Sequence, residues 1–454
     1  PDANAFRLTN STASSQIQRS PVKLKQHPED FIVTEQVTLD TGRGGFAVYR
    51  LTKWELGTPE ALTAISHCWN IPRQRIAHAG LKDRKAVTTQ YITVKEGPHR
   101  DLTLQNLELE YIGQRRTPLT AADIAANHFE LTVRDLTEDE VTTAENRIRE
   151  LSISGIPNYF DDQRFGSLGE SGEWVAHALC QGNYERALWL ALADSHPGDS
   201  SLEKRQKQIL KEHWGDWLKC KALLDRSHRR SIVTFLADKV AANKPVDFKG
   251  AFACLNGELR GLYLSAWQSA LWNRLLTAVL QQELPAAQLT VIPLKSGPAV
   301  FPQRSVADAL SSSGIAISQD DSSSTSSDAV DALRLRPGLQ LPLPSARIQM
   351  PTGILGELLT NVLTEEGITL SEMKVRFPRD RFFSRGLRTA LVYPDLDEIA
   401  SFDDEHNPGR KAIRLSFALQ RGSYATMMIR FLFRAANGDG LATSGMSDSD
   451  DDLP

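Results

Sequence analysis

Hydrophobic residues follow two different periods along this chain, and the change of period divides it into regions. Near both ends, apolar and polar residues alternate in short segments, which is the pattern of half-buried strands. Between about residue 167 and residue 366, apolar residues recur at helical spacing instead. Strands at the two ends and helices in the middle predict an α+β fold, in which a helical segment interrupts a sheet domain.

The predicted strands and their flanking signals define the sheet domain. A capping box at Thr137–Glu140 predicts a helix to about Ser152 that is stopped by Gly155. Another helix is predicted at about Pro59–Trp69 with Thr58 as its N-cap. The predicted strands are residues 31–37, 45–54, 76–81, 87–94, 107–112, 128–135, 385–394 and 412–419.

The middle region is predicted to be mostly helical. Its longest segment, Leu262–Leu284, is apolar on most of its circumference, so we expect it at the centre of its domain. We expect Trp267 and Trp272 in this segment to pack in the core and not to form a base-stacking platform. The other predicted helices are residues 173–181, 184–193, 202–214, 232–242 and 353–366.

Composition narrows the class of protein. The 454 residues are 41% hydrophobic and 24% charged, as in globular proteins, and no apolar run is long enough to span a membrane. The first residues lack the pattern of a secretory signal, and the four cysteines form no C-x-x-C pair. These features predict a cytoplasmic protein with reduced thiols and neither a metal site nor disulfide bonds.

The charge distribution permits a nucleic-acid partner. The net charge is −4, but two acidic clusters supply eight negative charges, so the remainder of the chain is +4. One cluster lies in the serine- and aspartate-rich run Ser311–Asp331, which we expect to be a flexible loop. The other lies in residues 437–454, and we expect this tail and the polar residues 1–20 to be disordered.

Candidate chemistry is concentrated in residues 78–90, HAGLKDRKAVTTQ. Asp83 lies between a short apolar segment and a predicted strand, and Lys82, Arg84 and Lys85 flank it. Neighbouring cations favour the ionised form of a carboxylate. An ionised carboxylate among charges that attract RNA suits covalent or electrostatic work on a nucleotide. From these residues alone, a solvated surface turn remains the alternative.

This segment resembles the G-x-K-D-x-x-A-x-T-x-Q signature of the TruD family of pseudouridine synthases. Further resemblances follow the family's order and extend the likeness over residues 23–432. They are LKQHPEDFIVTE from Leu24, NHF from Asn127, NYFDDQRFG from Asn158, LSAWQSALWN from Leu264, RGLRTALVYP from Arg385 and GSYAT from Gly422. The chain departs from the family pattern at Ala126, Asp161 and Phe431.

The resemblance implies roles for individual residues. Asp83 would be the catalytic carboxylate, and Lys25 would lie beside it and hold it ionised. Arg164 would meet an RNA phosphate in a loop whose rings could contact bases, although an aromatic domain junction is the alternative. Arg430 could pair with Asp83 or with phosphate. The residues that would contact the substrate uracil are Phe31, Asn127, Phe129 and Tyr424.

The resemblance also implies the fold, the domains and the reaction. We expect a catalytic domain with a mixed, mainly antiparallel sheet at residues 21–158 and 391–436, interrupted by a mostly helical insertion at residues 159–390. The reaction would convert uridine to pseudouridine in RNA, most plausibly at uridine 13 of transfer RNA, by a monomer without cofactor or metal. A non-catalytic RNA-binding protein that keeps the fold is the alternative. A glycoside hydrolase would need a second acid, and none accompanies Asp83.

Overall fold

The computed structural model describes residues 23–302, 335, 337–375, 383–433 and 442–443. It confirms the α+β class, because a mixed and mainly antiparallel sheet of eleven strands is joined to many helices. The expectations for residues 1–20 and for the run Ser311–Asp331 fall outside the described residues. Within 437–454, only Ala442–Thr443 are described, and they pair in parallel with Lys23–Leu24.

The strands form in segments where apolar side chains alternate with polar ones. In chain order they are β1 Lys23–Leu24, β2 Phe31–Val37, β3 Phe46–Trp54, β4 Ile76–His78, β5 Val87–Lys95, β6 Leu102–Leu104, β7 Leu107–Arg115, β8 Ile124–Leu136, β9 Ile156–Pro157, β10 Leu289–Ile292, β11 Ala299–Pro302, β12 Gln340–Pro342, β13 Leu387–Thr389, β14 Leu391–Val392, β15 Asp395–Asp403, β16 Lys411–Gln420 and β17 Ala442–Thr443.

The large sheet has the order β15-β16-β8-β2-β5-β3-β7-β6, so strands from both ends of the chain are neighbours. Strand β3 covers one edge of β5, while β2 and β4 share its other edge. The β2–β5 pair is parallel, and it joins Ile32–Thr34 to Val87–Thr89. The connection from β4 to β5 therefore ends where β2 begins to pair with β5, and this arrangement places residues 79–86 beside the start of β2.

The helices lie mainly between the two halves of the sheet in the sequence. In chain order they are α1 Thr58–Trp69, α2 Glu138–Ser154, α3 Val175–Cys180, α4 Tyr184–Leu192, α5 Ser201–His213, α6 Trp217–Leu223, α7 His228–Ala241, α8 Phe248–Ala253, α9 Gly257–Glu283, α10 Gly353–Glu365 and α11 Ala425–Phe433. Among the described residues, no helix combines the length and the apolar character that a membrane span requires.

Helix α9 forms the centre of the helical region, as its apolar circumference predicts. Trp267 and Trp272 are both completely buried, which confirms their expected place in the core. The indole N–H of Trp272 donates to the Leu341 carbonyl at 3.3 Å. Both rings are thus removed from water: Trp272 keeps a hydrogen bond, and the Trp267 ring lies against the His177 ring.

Two local details differ from expectation. The N-cap of α1 is Gly57, whose N–H is bonded to the Glu60 carboxylate, and Thr58 is the first helical residue. The sequence pattern also does not indicate strand β15, which is rich in acidic and exposed residues. It lies at the edge of the sheet, where only one side pairs with another strand and charged side chains remain in water.

A buried ion cluster ties the start of β2 to the far end of β8. Arg134 contacts the Asp30 and Asp404 carboxylates at 2.8 and 3.1 Å. Burial alone would raise the pKa of Asp404, but hydrogen bonds, foremost from the Asp135 N–H and Asn407, hold it at about 2. The carboxylate therefore stabilises the fold when ionised.

We expect Asp404→Asn to lower the free energy of unfolding by about 2.5 kcal/mol at pH 7, because a pKa difference of just under two units between folded and unfolded chains has that value. The contribution is fully present above about pH 4 and is lost as the pH falls towards 2. Urea unfolding at pH 7 and pH 3 measures it. Asp403→Asn, at a side chain that is 92% exposed, is the control and should change little. Equal losses at both pH values would contradict this account.

Candidate active site

One face of the large sheet carries three of the candidate side chains, Phe31, Asn127 and Phe129. Phe31, Val33 and Glu35 alternate along β2, so they share a face. Directly paired residues of neighbouring strands point to the same face, and Asn127 pairs with Glu35 while Phe129 pairs with Val33. The predicted uracil-contacting residues of β2 and β8 therefore lie on one surface.

Asp83 lies in the β4–β5 connection, as predicted, and its carboxylate pairs with Lys25. The Lys25 Nζ donates to Asp83 Oδ2 at 2.6 Å, with the two side chains 8% and 36% exposed. The Lys25 backbone has a φ of 62°, a left-handed conformation that is unfavourable for a residue with a side chain. The Lys25 ammonium also lies 3.9 Å from the centre of the Phe31 ring. The strained backbone thus aims a nearly buried cation at a partly exposed carboxylate.

Two of the cations that flank Asp83 in sequence point to other carboxylates. Lys82 Nζ pairs with Glu35 Oε1 at 2.7 Å, and the second oxygen of Glu35 accepts from the Tyr91 N–H at 3.1 Å. Arg84 pairs with Glu60 at 2.9 Å on the outer side. Lys82 and Arg84 thus make their ion pairs with carboxylates other than Asp83. Lys25, 58 positions earlier, pairs with it instead.

The backbone around Asp83 is held by buried polar side chains from α1 and β5. The Lys82 N–H donates to the Thr58 hydroxyl at 3.0 Å, and that hydroxyl donates to Gln90 Oε1 at 2.8 Å. The Gln90 amide in turn donates to the Gly80 carbonyl at 3.2 Å. Thr58 thus supports this loop and does not cap α1, and the loop is anchored at Gly80 and at Lys82.

Lys53, at the end of β3, is a site residue that the sequence interpretation missed. Its side chain is completely buried, and its ammonium donates to the carbonyl oxygens of Leu56 at 2.6 Å, Asp83 at 2.9 Å and Lys82 at 3.3 Å. The alternation along β3 contains the signal, because Leu51 and Lys53 occupy the same face and Leu51 is also buried.

Asn127 and the two phenylalanines differ in what they offer to a ligand. The Asn127 Oδ1 is buried and has no hydrogen-bond partner in the described structure. Buried polar atoms are normally paired, so this amide oxygen is available to a bound molecule. Phe31 and Phe129 are 4% and 7% exposed and meet edge to face at 6.3 Å, while Phe129 also stacks on Phe417. Of the two rings, Phe31 carries the direct contact with Lys25.

Tyr424 lies in the turn before α11 and approaches the site from outside the sheet. Burial raises the pKa of its phenol, Arg164 and Arg388 oppose that shift, and Asp83 adds to it. Asp83 is therefore within electrostatic range, and the phenol remains a proton donor at neutral pH. The Tyr424 ring meets the Phe160 ring edge to face at 6.2 Å.

Arg388, in β13, links three of the sequence motifs, and it too was missed. Its guanidinium donates to the Asn158 carbonyl and side-chain oxygens at 2.7 to 3.0 Å and to the Gly422 carbonyl at 2.7 Å. It also lies 4.0 Å from the centre of the Phe160 ring. Burial lowers its pKa to about 10, so it remains charged at neutral pH. The three motifs meet at this cation.

The aromatic residues of the Asn158–Gly166 loop pack inside the protein, in agreement with the junction alternative. Tyr159 and Phe165 are completely buried, and Phe160 is 9% exposed. Their rings are therefore not a free stacking surface for bases. Arg164 is half-buried, and its Nε donates to the Ser269 hydroxyl at 3.3 Å.

Arg430 pairs with two carboxylates of another loop and not with Asp83 in the described structure. Its guanidinium lies 2.9 Å from Asp162 and 3.4 Å from Asp161, which are both in the Asn158–Gly166 loop. Asp161, one of the departures from the family pattern, is 3% exposed and accepts from the Thr426 hydroxyl at 2.6 Å. Burial raises the pKa of this carboxyl, and Arg430 opposes the shift. Asp161, although it departs from the family pattern, is therefore accommodated by Thr426 and Arg430.

The arrangement presents a partly exposed carboxylate with a buried cation behind it. A half-buried tyrosine and an unpaired amide oxygen lie on the surrounding surfaces. In the described part of the chain, no group of three or more His, Cys, Asp or Glu side chains is placed to hold a metal ion. Such a site can direct one carboxylate at an electrophilic or acidic carbon while polar groups orient a planar ring.

Known proteins resemble this chain over almost its whole length. A relative from Methanococcus maripaludis, named "Probable tRNA pseudouridine synthase D 1", is 30% identical over 416 residues, which are 91% of this chain and 99% of that protein. The tRNA pseudouridine synthase D of Aquifex aeolicus is 29% identical over 420 residues, 91% of this chain and 98% of its own length.

A solved structure agrees in fold. A crystal structure from Methanosarcina mazei, described as tRNA pseudouridine synthase D (TruD), superposes with a TM-score of 0.62 and 26% identity over 91% of this chain and 94% of that one. The family profile of tRNA pseudouridine synthase D (TruD) matches residues 12–432. The chain therefore belongs to the TruD family of tRNA pseudouridine synthases.

Proposed function

We propose that this protein isomerises uridine to pseudouridine in RNA, with uridine 13 of transfer RNA as its substrate. The N-glycosidic bond between N1 and the ribose breaks, the uracil turns in place, and C5 bonds to the same ribose carbon. C5 then loses its proton, and N1 gains one. Because all the heavy atoms of the base are retained and one proton is lost as another is gained, the reaction needs no second substrate and no redox cofactor.

Asp83 is the reacting group in this proposal. Its carboxylate either attacks the nucleoside or removes a proton from the sugar, and both routes need an ionised, accessible oxygen. Lys25 supplies the opposing charge at 2.6 Å and holds that form. The contact between Asp83 and Lys25 is the observation that carries the proposal, because it joins the reacting carboxylate and its counterion from two separate motifs.

The remaining candidates would hold the uracil after it leaves the RNA stack. An enzyme that acts on a base in a folded RNA must first extrude it. The unpaired Asn127 Oδ1 can accept a hydrogen bond from an imide N–H, and the Tyr424 phenol can donate to a carbonyl. Phe31 and Phe129 supply the apolar floor between them. The roles of Phe31, Asn127 and Phe129 follow from their shared face of the sheet, and that of Tyr424 from its electrostatic range to Asp83.

A tritium-release assay tests the proposed reaction. RNA that carries tritium at C5 of its uridines loses the label when C5 becomes bonded to the ribose. We expect the purified protein to release tritium from a transfer RNA transcript without added cofactor. Binding of the same transcript without release would favour the non-catalytic RNA-binding alternative.

The charge near Tyr424 predicts where the RNA backbone passes. Arg164 lies close enough to act electrostatically on Tyr424, and within the described residues it has no carboxylate partner. We expect Arg164→Ala to weaken RNA binding and to lower the slope of log affinity against log salt by about one, as loss of one phosphate contact does. Binding isotherms at several salt concentrations measure the slope.

Arg186→Ala provides the matched control for that measurement. Arg186 already pairs with Glu173, so its removal should leave the slope nearly unchanged. A wild-type slope for Arg164→Ala would place the RNA path elsewhere.

We further propose that residues 21–158 and 391–436 form the catalytic domain and residues 159–390 the insertion. The large sheet draws its described strands from residues 23–136, 395–420 and 442–443, and helices α3 to α10 lie between, which supports this division. A monomer that acts in the cytoplasm on transfer RNA completes the proposal.

A further inference from the structure

We propose that Lys53 is a positioning residue for the reaction: its buried ammonium fixes the backbone of the Asp83 loop and so holds the Asp83 carboxylate at the reacting sugar. This inference rests on the proposed function, because it assigns a task to the support of Asp83. It concerns a residue that lies outside the motifs quoted above from the sequence.

The geometry of Lys53 is unusual for a lysine. Lysine is rarely buried unless it is paired, yet this side chain is completely buried and its ammonium contacts three carbonyl oxygens. Two of them belong to Lys82 and Asp83, so they lie on consecutive peptide units of the loop. A single cation thus restrains the peptide units on both sides of the Asp83 Cα atom.

The other supports of the loop end at the Lys82 carbonyl, which the Thr58 hydroxyl also approaches at 3.4 Å. Thr58 and Gln90 hold the chain at Gly80 and Lys82, and Glu35 holds the Lys82 side chain. Lys25 contacts only the carboxylate end of Asp83. Lys53 donates directly to the Asp83 carbonyl oxygen. Loss of this hydrogen bond would free the backbone that carries the Asp83 side chain. A displacement of about 1 Å in a reacting group can cost a hundredfold in rate.

The charge of Lys53 depends on pH within the range of an enzyme assay. Burial lowers its pKa to about 8, while Asp83 and Glu60 act against that shift and Lys82 adds to it. The ammonium is present below about pH 8 and is lost as the pH rises through it. A neutral amine has one donor fewer and turns a lone pair towards a carbonyl oxygen, so the loop loses its restraint.

The expected dependence of kcat on pH follows from this loss of charge. We expect kcat of the wild-type protein to fall as the pH rises through about 8, while KM for transfer RNA changes little. Lys53→Met, which keeps the length of the side chain but removes the charge, should lower kcat at least tenfold at pH 7 and should lack this alkaline limb. Lys53→Arg keeps its charge at every pH tested, so it should recover part of the rate and also lack the limb.

Controls separate positioning from a merely structural effect. Lys207 is another buried lysine, bonded to Asp199 at 2.7 Å among the helices, and Lys207→Met should keep the wild-type kcat and limb. All variants are compared by circular dichroism before assay. If Lys53→Met does not fold, the wild-type and Lys53→Arg profiles still decide the matter.

The experiment is tritium release from a uridine-labelled transfer RNA transcript between pH 6 and 9.5. A limb near pH 8 in the wild type that is absent from the Lys53 variants supports the proposal. A limb that persists unchanged in Lys53→Arg, or a wild-type kcat for Lys53→Met, overturns it, since the limb would then belong to another group such as the uracil N3–H. If the wild type releases no tritium at all, the proposed function fails instead.

Discussion

Asp83→Asn is expected to abolish pseudouridine formation while RNA binding is retained. The amide has nearly the shape of the carboxylate, so the loop held by Lys53, Thr58 and Gln90 should keep its fold. It cannot act as a nucleophile or a base, however, and the pair with Lys25 loses its charge. We expect a fall in kcat of at least about a thousandfold, which corresponds to about 4 kcal/mol of transition-state stabilisation.

Single-turnover tritium release measures the rate, and filter binding of the same transcript measures affinity. Glu110→Gln is the matched control, because Glu110 is a half-exposed carboxylate that pairs with Arg50 on the same sheet, away from the loop. It should leave both quantities unchanged. Appreciable turnover by Asp83→Asn would show that the catalytic group has been wrongly assigned.

Lys25→Met is expected to lower the rate by about 10- to 100-fold, or about 1.4 to 2.8 kcal/mol of barrier. The Lys25 side chain is nearly buried, so its charge is less screened than in a surface pair, whereas Asp83 is partly exposed and can still be hydrated. Without the cation, the Asp83 carboxylate loses the 2.6 Å contact that orients it and offsets its charge. We therefore expect kcat to fall while the affinity for RNA changes little.

Lys23→Met tests whether any lysine of this segment has that effect. Lys23 lies two positions earlier and pairs with Asp135 at 3.2 Å, away from the active site. Its variant should keep the wild-type kcat. A wild-type kcat for Lys25→Met would leave Lys25 as an RNA contact only.

Much of the fold could be predicted because its strands and long helices bury one face. The alternation in β2, β3, β5, β8 and β16 and the apolar circumference of α9 are strong local signals. Helices α6 and α8 have only 7 and 6 residues, too few to establish a period. Strand β15 is an edge strand whose acidic side chains resemble a loop. β15 forms a strand because it pairs with β16, and no local sequence pattern in β15 indicates that pairing.

The contacts within the site were likewise predictable only in part. The motifs placed Asp83 and Lys25 together, and the structure confirms that they are in contact. The partners of Lys82, Arg84 and Arg430 could not be predicted, because they depend on which distant segment the tertiary fold brings close. Lys53 carries no motif, so only its position on the buried face of β3 could have indicated a role.

The most direct test of the central claim is a map of pseudouridines, at single-nucleotide resolution, in the RNA of cells with and without this protein. We predict a pseudouridine at position 13 of transfer RNA that disappears when the protein is removed. It should return when the wild-type chain is restored and remain absent with Asp83→Asn. A map that is identical in all four samples, or full restoration by Asp83→Asn, would contradict the claim that this protein makes pseudouridine through Asp83.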